Sequence, residues 1–151
     1  MLLIASRVLA LVALMAQPAV QSAAGTDSLD FEYFKTRVQP IFLKKRPGHA
    51  RCISCHAGRT AMPLQRLPSG GSSWNDDESR KNFEVVRRMV VPGSLKSKLL
   101  VHPLATDAGG DLFHNGGKHW TSQSDPEWQL LAAWVRGERA ASERQQPHRY
   151  F

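Results

Sequence analysis

Cys52-Ile53-Ser54-Cys55-His56 holds both cysteines of the 151-residue chain. Two thiols three positions apart, followed directly by a histidine, match the pattern for covalent attachment of a c-type haem. The thiols add to the two porphyrin vinyl groups, and the next imidazole turns onto the iron. Three rival readings fit less well. Zinc needs four ligands; Cys52, Cys55, His56 and another histidine can be counted, but no second CxxC or HxxxH pair completes the set. A thioredoxin-type dithiol wants a strand-helix-strand setting around the motif, whereas the flanks read as helix and loop. A structural disulfide between such close neighbours stabilises little.

The N-terminus agrees with the motif. Residues 1 to about 24 carry one cation, Arg7, then an apolar run from Val8 to Met15 and small residues through Gln21-Ser22-Ala23-Ala24-Gly25. That is the layout of a secretory signal peptide cut after Ala23 or Ala24. The run is shorter than the roughly 20 residues of a membrane span, and no other long apolar segment follows. The expectation is an exported, periplasmic chain with no span after cleavage; an uncleaved anchor is the alternative. Exported cysteine pairs without haem tend to oxidise, so address and motif point the same way.

Cleavage leaves one domain's worth of chain: residues 25–137 as the domain, and 138–151 as a polar, basic, frayed tail. The formal charge is +7. Losing Arg7 leaves nineteen basic against thirteen acidic residues, or +6, and two haem propionates would bring that nearer +4. Such an excess steers acidic redox partners or is simply a solvated surface. No nucleic-acid motif or basic-aromatic platform occurs. The oligomeric state stays open.

The spacing of Phe31, Phe34, Val38, Ile41 and Phe42 predicts a helix over Ser28 to Lys45. Asp27 or Ser28 is its expected cap, and Pro40 is expected to kink or end it. Arg46-Pro47-Gly48 turns into the cysteine motif, and residues 57 to 75 read as loop. A second helix is expected over Asp76 to Val91, with Phe83, Val86 and Val90 on one face, stopping at Pro92-Gly93. Ser94 is the expected cap of a short helix from Leu95 to Val101. A Gly-rich loop follows from His102 to Gln123. The last helix opens on Ser124-Asp125-Pro126-Glu127, read as a Ser-x-x-Glu capping box with proline in the first turn. It carries Trp128, Leu131 and Val135 on one stripe, Leu130 and Trp134 on the next, and Gly137 as C-cap. No segment alternates as a strand, and neither a repeat nor a second domain is visible.

His56 is the proximal ligand by position. For the opposite face, Met62 lies six residues away, which spans only about 20 Å at full stretch and leaves no slack to wrap a porphyrin. Met89 reads as core. His102, His114 and His119 remain, all in or beside the Gly-rich loop, where Gly116 and Gly117 let backbone approach the porphyrin. A methionine or an open position completes the alternatives. His49 reads as a surface residue. Arg51 and Arg59 either pair propionates or stay solvated. Trp120, Trp128 and Trp134 read as haem-pocket packing.

The order helix, CxxCH, loop, closing aromatic helix resembles a class I-type cytochrome c domain. Four stretches are similar to bacterial exported cytochrome-c-like modules, which occur alone or at the front of large multidomain proteins. They are Phe31 to Cys55, Ser97-Lys98-Leu99-Leu100-Val101-His102-Pro103-Leu104, His114-Asn115-Gly116-Gly117-Lys118-His119-Trp120, and Asp125-Pro126-Glu127-Trp128 through Gly137. In those modules a His-Gly-Gly-Gly-Lys-Arg-Phe-like segment stands where His114 to Trp120 stands, and its histidine is the second ligand. The resemblance therefore implies His114 in that role. Asn115 departs from the usual glycine, and His119 falls where arginine is common. It covers most of the mature chain but says little of residues 57 to 75. Its implications are an all-α, class I-type helical domain with long loops, wrapped around one covalent haem c. Cys52 and Cys55 would form the thioethers, two imidazoles would hold the iron, and the function would be one-electron transfer, not bond-making catalysis. The competing functions are a haem enzyme or gas sensor with a displaceable sixth ligand, and a haem-bearing subunit of a larger assembly.

Overall fold

Asp30 opens the first helix. Its side chain accepts from the Tyr33 amide at 2.6 Å, filling one of the orphan donors at a helix start. The computed structural model describes residues 29–141; the leader, the expected caps Asp27 and Ser28, and residues 142–151 lie outside them. Helix α1 has three contiguous parts: Phe31–Tyr33 (α), Phe34–Val38 (π) and Gln39–Leu43 (α). Pro40 does not end it. The wide π turns come directly before the proline, with the Gln39 amide donating to the Phe34 carbonyl. An ordinary turn there would need the N–H that proline lacks and would meet its ring. The expected stripe holds: Phe34, Val38, Ile41 and Phe42 are buried.

The motif forms helix α2, Cys52–His56. Helix α3, Asp76–Val86, is capped reciprocally by Asn75 and Glu78 at 2.9 Å each way. It passes into a 3-10 turn, Arg87–Met89, and ends there. Val90 is already extended, so the helix stops short of the expected Val91. Helix α4 is only Lys98–Val101, shorter than expected, and Ser94 does not cap it. Ser97 is the ordering residue instead. Fully buried, its hydroxyl accepts from the Val91 amide at 2.9 Å and lies within reach of the Val91 and Ser94 carbonyls.

Helix α5, Pro126–Val135, is capped by Asp125, which accepts from the Glu127 and Trp128 amides at 2.9 and 3.4 Å. The expected Ser124–Glu127 box does not form, because the Glu127 carboxylate is bound to Arg46 and Lys44. At its other end Gly137 donates to Trp134 and Glu138 to Ala133, the paired bonds of a Schellman stop. Ala140 then reaches Asp30 Oδ1 at 3.4 Å.

Helices α1, α3 and α5 meet at Phe34, whose ring lies 5.4 Å from Phe83, 5.3 Å from Trp134 and 6.4 Å from Phe42. Trp134 and Trp128 donate to the Asp30 and Leu100 carbonyls, so both indoles are satisfied in this core. The 57–75 loop is tied down by Trp74 donating to the Gln65 carbonyl and by buried Asn82 accepting from the Gln65 amide. Among the described residues there is no strand, only the isolated bridges Arg46–His49 and Leu104–Trp120. The regular structure of the described residues is thus all helical, joined by long loops, and none of these helices is long and apolar enough to cross a membrane.

Arg46 links the end of α1 to the start of α5, 81 residues on. Its guanidinium is buried, lies 5.2 Å from the Trp120 ring centre and bonds Glu127 from Nε at 2.8 Å. A buried charge stripped of its partner is costly, so Glu127→Ala is expected to lower the unfolding free energy by about 3 kcal/mol. The figure is at the low end because Glu127 keeps 15% of its side-chain exposure. Urea denaturation checks it; a loss below about 1 kcal/mol would place the pair among ordinary surface bridges.

Candidate functional site

Between α2, α4 and the Gly-rich loop lies a cavity of about 950 Å³, near the top of the range of roughly 300–1,000 Å³ for ligand pockets. Phe42, Met62, Met89, Leu99, Trp120 and Leu131 give it an apolar lining. Cys52, Cys55 and His56 enter it from α2, and His102, His114 and His119 from the far side of the sequence. All six sequence-derived site residues are therefore brought to one cavity. One helical turn accounts for the first group. Ile53 faces the core at 7% exposure, which leaves Cys52 half-buried and Cys55 exposed on the cavity side. The two thiols are free. Burial pushes the Cys52 thiol up, against the pull of the Arg46 guanidinium beside it.

His56 is aimed by its own chain. Its Nδ1 lies 3.1 Å from the Met62 carbonyl and 3.3 Å from Thr60 Oγ1. Donating Nδ1–H to that carbonyl leaves the lone pair on Nε2. Burial pushes the His56 pKa down; the Met62 bond opposes this, and His114 adds to the fall. His114 is set up the same way, with Nδ1 2.6 Å from the Gly117 carbonyl. A backbone carbonyl on the second ring nitrogen is the usual support of a metal-binding imidazole.

The His56 and His114 ring centres are 6.3 Å apart, with planes 19° from parallel. Two metal–nitrogen bonds of about 2 Å each, with each ring centre about 1 Å beyond its nitrogen, put trans imidazole centres about 6 Å apart. The observed separation is of that order. Of the described histidines, His114 is the one whose ring faces His56 at that range.

The other two histidines are engaged differently. His102 Nδ1 is paired with the Asp111 carboxylate, and its ring lies 6.4 Å from His114. Burial pushes Asp111 up, but bonds from Lys118 and His102 outweigh it and hold the carboxyl below its usual range. His119 packs 4.9 Å from His49 and 6.0 Å from His114. Burial first, then Arg46 and the neighbouring histidines, lower its pKa to about 4.

Several expectations change. His49 is not a plain surface residue; it is half-buried against His119. Met62 contributes the carbonyl that orients His56, and Met89 lines the cavity besides flanking the core. Of the tryptophans read as pocket packing, only Trp120 lines the cavity; Trp128 and Trp134 belong to the core between helices. Gly116 makes room for a side chain of this protein: a Cβ there would sit 3.1 Å from His114 Cε1. Arg51 and Arg59 line the cavity as exposed cations, and Lys98, which sequence reasoning missed, joins them. Among the described residues no three His, Cys, Asp or Glu side chains converge to hold a metal ion alone, so a four-ligand zinc set is not assembled. Searches of protein-family models, curated proteins and solved structures find no match to the chain.

Proposed function

We propose that this chain is an exported, monohaem c-type cytochrome that passes single electrons between redox proteins. The observation that carries the proposal is the facing pair His56 and His114, 6.3 Å apart across a cavity that also holds Cys52 and Cys55. Cys52 and Cys55 would anchor the haem c as thioethers, and the two imidazoles would be its axial ligands. When bound, the group supplies a one-electron ferric/ferrous couple. The chain's own part is to fix those ligands through the Met62 and Gly117 carbonyls and to exclude water with the apolar lining. Arg51, Arg59 and Lys98 are cations on the lining that suit carboxylates. Histidine on both faces favours a lower reduction potential than His/Met ligation. The overall excess of basic residues suits an acidic redox partner.

The test is production in a host able to mature c-type cytochromes, followed by pyridine haemochrome spectroscopy and intact mass. The expected result is one covalent haem on a chain shortened by about 24 residues, the length of the leader. Colourless protein whose cysteines are joined to each other or hold zinc would overturn the proposal.

One observation favours a second reading, a gas sensor or haem enzyme with a displaceable sixth ligand. Leu112 and Phe113, just before His114, line the cavity and are 87% and 73% exposed, so the turn carrying His114 leans on what fills the cavity and not on the helical core. Fast carbon monoxide binding by the reduced protein at neutral pH would favour this reading over the carrier.

A further inference from the structure

The His114 loop is fastened at its ends by backbone. At one end the Gly110 and Asp111 amides donate to the Ala105 and Val101 carbonyls. At the other, His119 and Trp120 donate to the Pro103 carbonyl. Between these anchors Leu112, Phe113, His114, Asn115 and Gly116 line the cavity, and the turn from His114 to Gly117 bonds only to itself. His114 is half-buried, and the hydrogen bonds of its turn do not tie it to the rest of the chain. One side chain crosses the loop's base. Lys118 Nζ donates to the His102 carbonyl at 2.9 Å, to the Asp111 carbonyl, and to Asp111 Oδ1 at 3.2 Å. Those three acceptors use all three protons of the ammonium. Asp111 in turn accepts from His102 Nδ1, the residue at the C-terminal end of α4.

We propose that Lys118 is a positioning residue for His114, closing the loop like a clasp with Asp111 and His102 as its catch. The proposal rests on the reading of His114 as an axial ligand. It assigns His102 a place in the frame and not on the iron. It also says why an ammonium stands four residues after the ligand: three acceptors converge on one nitrogen, which a planar guanidinium matches poorly.

The experiment uses the mature haem protein and follows carbon monoxide association with the ferrous form, which requires the sixth ligand to leave. Lys118→Met is expected to speed association at least about tenfold, the size that loss of charge-assisted hydrogen bonds gives. Haem content by pyridine haemochrome should stay at one per chain. Asp111→Asn should move the rate in the same direction, and it decides the matter if the lysine variant is not recovered. Lys81→Met, which removes an exposed charge on α3, controls for charge and should leave the rate alone. A Lys118→Met rate within about twofold of the parent, alongside a His114→Ala variant that binds the gas fast, would overturn the clasp and leave the ligand assignment standing. Parental rates in both variants would remove the ligand assignment, and the clasp with it.

Discussion

Replacing His114 with alanine is expected to turn a six-coordinate, low-spin haem protein into a high-spin one, with its sharp α band lost and carbon monoxide binding fast. The argument is geometric. His114 is the imidazole that faces His56 at the span of two metal–nitrogen bonds, and its Nδ1 is already committed to the Gly117 carbonyl. Its rivals have other commitments. His102 is paired with Asp111, and His119 is packed against His49. His102→Ala and His119→Ala are therefore expected to leave the protein low-spin. His114→Met tests the same point in another currency: thioether ligation favours the ferrous state, so the reduction potential should rise. An unchanged Soret and α band in His114→Ala, with the change appearing in His102→Ala, would move the second ligand to His102.

The parts of this fold legible in the sequence are those with local causes. The apolar spacing of α1 and α5 reports a buried stripe, and both stripes are buried except at Phe31 and Leu130, which are partly so. The CxxCH run reports its own turn, because one short helix, Cys52–His56, carries Cys52, Cys55 and His56 to the same cavity. What escaped depends on partners distant in sequence. Ser124 and Asp125 are adjacent cap candidates of equal chemistry, and the choice is made by Arg46, which claims Glu127 from 81 residues away. No helical spacing encodes that pair. The tryptophans illustrate the same limit. Trp128 and Trp134 look like Trp120 in composition, but they ride the inner face of α5 toward Leu100 and Asp30. Trp120 is carried to the cavity by its bridge with Leu104. His49 reads as solvent-facing until the turn at Arg46 folds it onto His119.

Gly110 shows how a loop can be more rigid than its composition suggests. A Cβ there would lie 1.9 Å from the Leu104 carbonyl oxygen, a backbone atom that cannot swing aside. The Gly-rich stretch, expected as loop, is thus packed backbone to backbone where it leaves Leu104, and its apex lines the cavity. This division gives the His114 turn a firm frame, which the bonds of Lys118 to His102 and Asp111 extend.

The Cys52→Ser, Cys55→Ser double variant is expected to lose covalent haem entirely. On the proposed reading, coordination by His56 and His114 would hold a haem in the folded state, but only a thioether survives acidified organic extraction of the denatured chain. The double variant's haem should therefore pass wholly into the organic layer, while the parent's stays with the polypeptide. The single variants separate the two sulfurs. Each leaves one vinyl group unreacted, so each should keep its haem through extraction yet shift the pyridine haemochrome α band to longer wavelength. The two thiols differ in setting. Cys52 is half-buried with its pKa pushed up by burial, whereas Cys55 is exposed. The more accessible sulfur should need less rearrangement to react, so Cys52→Ser is expected to mature in higher yield than Cys55→Ser. Equal yields would remove burial as the cause of any asymmetry without touching the attachment itself. Haem that stays with the double variant after extraction would do more damage, since no other cysteine exists in the chain to hold it.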